Sequence, residues 1–210
     1  MIGVECALRV ILLSYTPNPE RVVASAIRQC RSIKGADQIY SELSEEDVKR
    51  LIRSCIRQGH LSPIEHASFT FLIEGISRVA SHQLVRHRIA SYSQQSHRVV
   101  DLSSIGFVIP PTISDNPEAE NIFKNLFENA RKCYLKLLEL GVPREDARYI
   151  IPQAVETSIV VTMNARELLH FFKLRLAKDS QWEIRRIARR MLSQVYKVAP
   201  TIFEQFKEHL

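Results

Sequence analysis

Glycine is scarce in this chain of 210 residues: six in all, no two of them close together. Neither a Walker-type phosphate loop nor a GxGxxG turn can be built from them, since both need clustered glycines to bring backbone against a phosphate. Any nucleotide must therefore be held by side chains and helix ends. Cysteine is sparse as well. Cys6, Cys30, Cys55 and Cys133 are widely spaced and form no CxxC pair, which argues against a zinc ribbon and a disulfide scaffold and points to a reducing cytoplasm. No stretch approaches the roughly 18 uninterrupted apolar residues of a membrane span. The short apolar run from Ala7 to Leu13 contains Arg9 and lacks the basic leader and small-residue cleavage site of a signal peptide, so a buried strand fits it better. There is no GxSxG elbow and no cysteine with an activating neighbour in sequence. His60 and His66 are six apart and His82 and His87 five apart, so neither pair shares a helical face as HExxH does, and no metal site is expected.

What the chain does have is an ordinary globular composition, 45% hydrophobic and 25% charged, with a net charge of +6 and a pI near 9.3. The length suits one sizeable core, and no Gly/Ser linker or repeat divides it, so residues 1–210 are read as a single domain. A basic surface suits nucleic acid, anionic lipid or a phosphorylated small molecule, and charge alone does not choose among them.

Along the chain, Ala7 to Tyr15 is expected as a strand and Glu20 to Arg31 as a helix. Ser44 caps a further helix whose apolar residues (Val48, Leu51, Ile52, Cys55, Ile56) recur at helical spacing before Gly59. Residues 67–74 alternate and are rich in aromatic and β-branched side chains, so they form a strand. Residues 76–87 form a short helix, and residues 99–110 are strand-like up to Pro110-Pro111. Asn116 to Leu140 carries a long amphipathic stripe, and Pro143 opens a shorter helix to Ile151. Residues 157–164 read as a buried strand, followed by helices from Ala165 to Leu174 and from Ser180 to Val198. Strands and helices mix without regular βαβ alternation, so the class is α+β, a mixed sheet packed by helices.

The stretch RHRIASYSQQSHR (86–98) has no acid. Arg86 and Arg88 offer forked guanidiniums for phosphate or carboxylate. His87 can donate to phosphate or stack on a ring. Ser91, Ser93, Gln94, Gln95 and Ser96 supply neutral donors and acceptors suited to a base edge. The bland alternative is a solvated basic loop.

The spacing RHRxxSxxxxSxR, carried by Arg86, His87, Arg88, Ser91, Ser96 and Arg98, resembles the signature of flavin-dependent thymidylate synthases, which make dTMP from dUMP using FAD. GHLSPIEH (59–66), GVPREDAR (141–148), MNARELLHFFKLR (163–175) and QWEIR (181–185) are similar to that family's other segments and occur in the same order. The resemblance implies FAD contacts at Ser62, Arg86, His87, Arg88, Gln94, Asn164, Arg166 and His170. It implies dUMP contacts at Gln83, Arg86, Gln94, Gln95, Ser96, His97, Arg98, Arg148 and Arg175, and a homotetramer whose sites form between subunits. NADPH would reduce the flavin and 5,10-methylenetetrahydrofolate would supply the one-carbon unit. No enzyme nucleophile attacks uracil in such a reaction; Arg175 would activate the ring, Ser96 would hold substrate, and Arg86 and Arg148 would act on phosphates. Nucleic acid and membrane are not expected partners. The chain departs from the family pattern at Ser93-Gln94 (often Asn-Glu), at Val99 (often Tyr), at His170 (Asn in some members), at Asp179-Ser180 (usually His) and at Cys30 (Ser in some members). The rival readings are a basic RNA-binding domain and another flavoenzyme acting on a nucleotide.

Overall fold

The computed structural model describes residues 7–210. Its strands are β1 (Arg9–Tyr15), β2 (Ser68–Ser77), β3 (Ala90–Gln94) and β4 (Glu156–Asn164), hydrogen-bonded in the order β1-β2-β4-β3. The α-helices are α1 (Pro19–Gln29), α2 (Ala36–Glu42), α3 (Glu45–Arg57), α4 (Arg78–Leu84), α5 (Pro111–Ser114), α6 (Pro117–Glu139), α7 (Arg144–Ala147), α8 (Ala165–Arg175) and α9 (Trp182–Tyr196). The Arg9–Glu74 and Thr16–Ser68 contacts set β1 against β2. Thr70 meets Thr162 across β2 and β4 while Arg78 N–H donates to the Val155 carbonyl. Gln94 reaches Thr157 across β3 and β4, and the start of β3 groups with the end of β4 while its end groups with the start of β4. All three neighbouring pairs therefore run antiparallel. The α+β class is borne out, and the sheet is antiparallel where mixed strand directions were expected.

The chain divides into two compact units, and each strand passes from one to the other. The first comprises, among the described residues, 7–9, 73–85 and 93–159. Its core joins Leu102, Tyr134 and Ala147 to a second cluster of Phe107, Phe127 and Val155. The Phe107 and Phe127 rings stack at 4.2 Å, fixing α6 on this unit through aromatic contact as well as burial. The second unit comprises residues 10–72, 86–92 and 160–210. Here Phe172 packs edge-on against Phe203 and Phe206, and Phe203 against Phe69.

Most expected elements are present within two or three residues, with two corrections. Residues 99–110 are not a strand; they retain a single antiparallel bridge, Phe107 to Val155. Asp101 accepts from the Ser103 N–H at 2.9 Å and Ile105 N–H donates to the Leu102 carbonyl, so turns interrupt the run. The strand lies instead at Ala90–Gln94, inside the basic signature. Residues 157–164 are also not buried throughout: β4 alternates buried and half-buried positions, as a strand with one covered face does.

Candidate active site

Two helix boundaries place the second unit's polar residues. At the end of α3, His60 N–H donates to the Cys55 carbonyl and Gly59 N–H to the Ile56 carbonyl, both at 3.1 Å, with Gly59 at φ +73. This is a Schellman turn that only a residue tolerant of the left-handed region closes easily. It delivers His60 and Ser62 to the surface. Asn164 ends β4 and caps α8, its side chain accepting the Glu167 N–H at 2.9 Å. Arg166, His170 and Lys173 follow on one face of α8, at i, i+4 and i+7.

That face lines a cleft of about 730 Å³ together with Asn164, Glu65 and the apolar side chains of Leu61, Ile89 and Phe206. Arg166 pairs with Glu65 at 2.5 Å. Apolar walls with cations at the rim suit a flat aromatic ligand carrying an anionic group. Ser62 does not line this cleft. It lies on a separate one of about 530 Å³ with Cys30, Cys55 and His60.

His87 sits in the same unit, 4% exposed. Three residues of α8 spaced by four hold its ring. Glu167 Oε1 lies 3.2 Å from Nδ1, Arg175 Nε donates to Nε2 at 3.0 Å, and the Phe171 ring meets it edge-on at 4.9 Å. Tyr92 Oη donates to the His87 carbonyl at 2.7 Å. Burial, then the positive charges of Arg175 and His170, hold the imidazole down to a pKa of about 4, so it is neutral at physiological pH. Burial pushes the Glu167 carboxyl up, with His170 opposing. Burial and Glu167 together raise the Tyr92 phenol.

The first unit holds a different set. Arg78, His82, His97, Arg148 and Tyr149 line a cleft of about 370 Å³. The buried His97 ring bonds the Glu156 carbonyl through Nε2 at 3.1 Å. Burial and Arg78 lower its pKa, the carbonyl contact opposes, and Arg148 lowers it further. Burial and then Arg148 depress Arg78 in turn. Two guanidiniums and two imidazoles around one concavity suit a phosphate. Arg148 is oriented by its Nε bond to the Glu145 carbonyl at 3.0 Å.

The expected residues are thus divided. Arg86, His87, Arg88, Asn164, Arg166, His170, Arg175 and Ser62 belong to the second unit, and Gln83, Gln94 to Arg98 and Arg148 to the first. Only Asn164, Arg166 and His170 of the flavin set share the 730 Å³ cleft, and only His97 and Arg148 of the substrate set share the 370 Å³ one. The Gln94 amide nitrogen donates inward to Ser81 and Thr157 at 2.9 and 3.2 Å. Arg98 is exposed. Arg78, His82, Tyr149, Glu65 and Glu167 were not foreseen. Glu167 had a sequence signal of another meaning, for Asn-x-x-Glu at 164–167 reads as a capping box.

Among the described residues no group of three or more His, Cys, Asp or Glu could hold a metal ion, and no helix is long and apolar enough to cross a membrane.

Residues 11–201 match the family model of the thymidylate synthase complementing proteins. The fold matches that of the UMP/dUMP methylase PolB from Streptomyces cacaoi, solved with 5-Br dUMP, at a TM-score of 0.86 over 97% of this chain and 96% of that one, with 25% identity. These define the class, a nucleotide methylase fold. Flavin-dependent thymidylate synthases of Clostridium tetani and Geobacter sulfurreducens are 47% and 50% identical, covering 97% and 93% of this chain and 88% and 85% of their own lengths. The chain belongs to the flavin-dependent thymidylate synthase family.

Proposed function

We propose that this protein converts dUMP to dTMP by reductive methylation, with FAD as cofactor, NADPH as reductant and 5,10-methylenetetrahydrofolate as one-carbon donor. The observation that carries this reading is the set of ordered motif matches together with two cation-lined clefts, one apolar-walled and one suited to phosphate. When bound, FAD would supply the hydride that completes the methyl group. The 730 Å³ cleft fits that cofactor: Leu61, Ile89 and Phe206 would wall the ring system, and Asn164, Arg166 and His170 would meet polar atoms. Ser62, Arg86, Arg88 and Gln94 complete the proposed flavin set, with His87 acting from within the fold.

Arg148, Gln83, Arg86 and the loop Gln94 to Arg98 are proposed to hold dUMP, with guanidiniums on the phosphate. Arg175 is proposed to place its cation beside the uracil ring, favouring negative charge there and making C5 a better nucleophile. Ser96 holds and does not attack. The proposed flavin set lies in the second unit except for Gln94, and the substrate set in the first except for Arg86 and Arg175; in the proposed homotetramer different subunits contribute the two sets to each site. Residues 1–210 act as one catalytic domain in this reading, within the cytoplasm.

Purified protein should carry a flavin absorption spectrum that NADPH bleaches, and dTMP should form only when dUMP and the folate donor are both added. A colourless protein that binds RNA and ignores dUMP would overturn this reading in favour of the basic RNA-binding domain. Flavin reduction with a different nucleotide as sole acceptor would favour the other flavoenzyme.

A further inference from the structure

The contacts around His87 admit a single proton arrangement. An arginine Nε–H only donates, so the Nε2 atom that meets Arg175 at 3.0 Å must accept. The ring is neutral, so its one proton is on Nδ1, which faces Glu167 Oε1 at 3.2 Å. Glu167 therefore accepts. The order of dependence runs from the carboxylate through the imidazole to the guanidinium. Two of the three groups stand on one helix, with Glu167, Phe171 and Arg175 four residues apart on α8, and the loop bearing His87 is tied by Tyr92. Glu167 is 8% exposed, a costly place for a carboxylate unless a donor such as the His87 Nδ1–H meets it.

We propose that Glu167 is a positioning residue: by fixing the Nδ1–H tautomer of His87 it presents a bare Nε2 to Arg175 and so sets the direction of that guanidinium. Without the carboxylate, the ring is free to take the Nε2–H tautomer, whose proton points at the Arg175 Nε–H. Two donors then face each other and the guanidinium turns away. Carboxylate–imidazole pairs of this kind orient metal-bound histidines in the same manner. Here the oriented partner is a cation. The consequence for turnover rests on the proposed role of Arg175, whereas the tautomer itself does not.

Two readouts on the flavin-loaded protein separate the parts. Selective ¹⁵N-histidine NMR, with His87 assigned through H87N, reports which ring nitrogen carries the proton. Steady-state kinetics report kcat and KM for dUMP. The wild-type protein is expected to show Nδ1–H. Glu167→Gln, whose side-chain carbonyl can still accept, is expected to keep that tautomer and to recover most of the turnover. Glu167→Leu is expected to shift the ring to Nε2–H and to lose about tenfold or more in kcat, with a smaller change in KM. A wild-type Nε2–H ring would overturn the inference without any variant. So would a Leu variant that turns over normally, or a Gln variant that keeps the Nδ1–H ring yet loses as much turnover as Leu. If the wild-type protein shows Nδ1–H but makes no dTMP, the tautomer relay stands and the proposed reaction fails.

Discussion

His87 contributes to the acid limit of this protein as well as to its site. Its folded pKa of about 4 lies below the ordinary 6.5, so the unfolded chain binds more protons between those values. The stability it supports is fully present above pH 6.5 and is lost progressively as the pH falls toward 4. His97 is depressed in the same direction and adds to the slope. Glu167, Arg175 and His170 all face the His87 ring, and protonation there would forfeit the bond from Arg175. Melting temperature measured against pH should therefore fall less steeply in H87N than in wild type over that interval; parallel curves would contradict the burial argument. Arg175→Ala should lower turnover more than dUMP affinity, because the charge it stabilises grows along the reaction. Equal losses in both would deny it the activating role. The basic signature was legible at this scale because its cations have fixed spacing. Glu167 was not, since one Asn-x-x-Glu pattern serves both a helix cap and a carboxylate aimed at a distant imidazole.

Among the elements, local chemistry predicted best where a cap or period decided the outcome. Ser44 accepts the Asp47 N–H at 3.1 Å and starts α3, and Asn116 caps α6 through the Glu118 and Ala119 N–H groups. Residues 99–110 were misread because their β-branched content outweighed the turn chemistry of Asp101 and Ser103. β3 was missed because Ala-Ser-Tyr-Ser-Gln is polar and looks like a binding loop; its pairing partner, β4, lies over 60 residues away, beyond the reach of local pattern. The seven-residue α2 (Ala36–Glu42) was likewise overlooked, lacking a long stripe. Gly75 shows a constraint invisible in sequence. It sits in β2 at φ +69, and a Cβ there would lie 2.6 Å from the Ala7 carbonyl oxygen. Gly75→Ala should cost on the order of 1–3 kcal/mol, read as a lowered midpoint in denaturant. An unchanged midpoint would show that the strand relaxes freely.

At the scale of the whole chain, the surface carries exposed apolar side chains. Ile122 and Leu126 on α6 are 64% and 56% exposed, and Leu140 beyond it 69%. The proposed homotetramer would give such side chains a covered environment. The proposed division of the flavin and substrate sets between subunits has a direct test. Arg148→Ala disables the substrate set and Arg166→Ala the flavin set. Co-assembly of the two inactive variants should restore part of the wild-type activity, because some sites then draw an intact set from each subunit. Activity no higher than that of either variant alone would place both sets in one subunit. The net charge of +6 and the arginines proposed for the dUMP phosphate lead to one further expectation: binding should weaken with added salt.

The measurement that bears most directly on the chemistry is tritium release from C5-labelled dUMP. With FAD, NADPH and methylenetetrahydrofolate all present, tritium should enter the solvent in step with dTMP, and release should fall away when any one component is withheld. Arg175→Ala should slow it, and no pyrimidine should be recovered covalently attached to the protein. Retention of the label in the complete mixture, or an adduct trapped on Ser96 or a cysteine, would contradict activation of the uracil ring by a fixed positive charge.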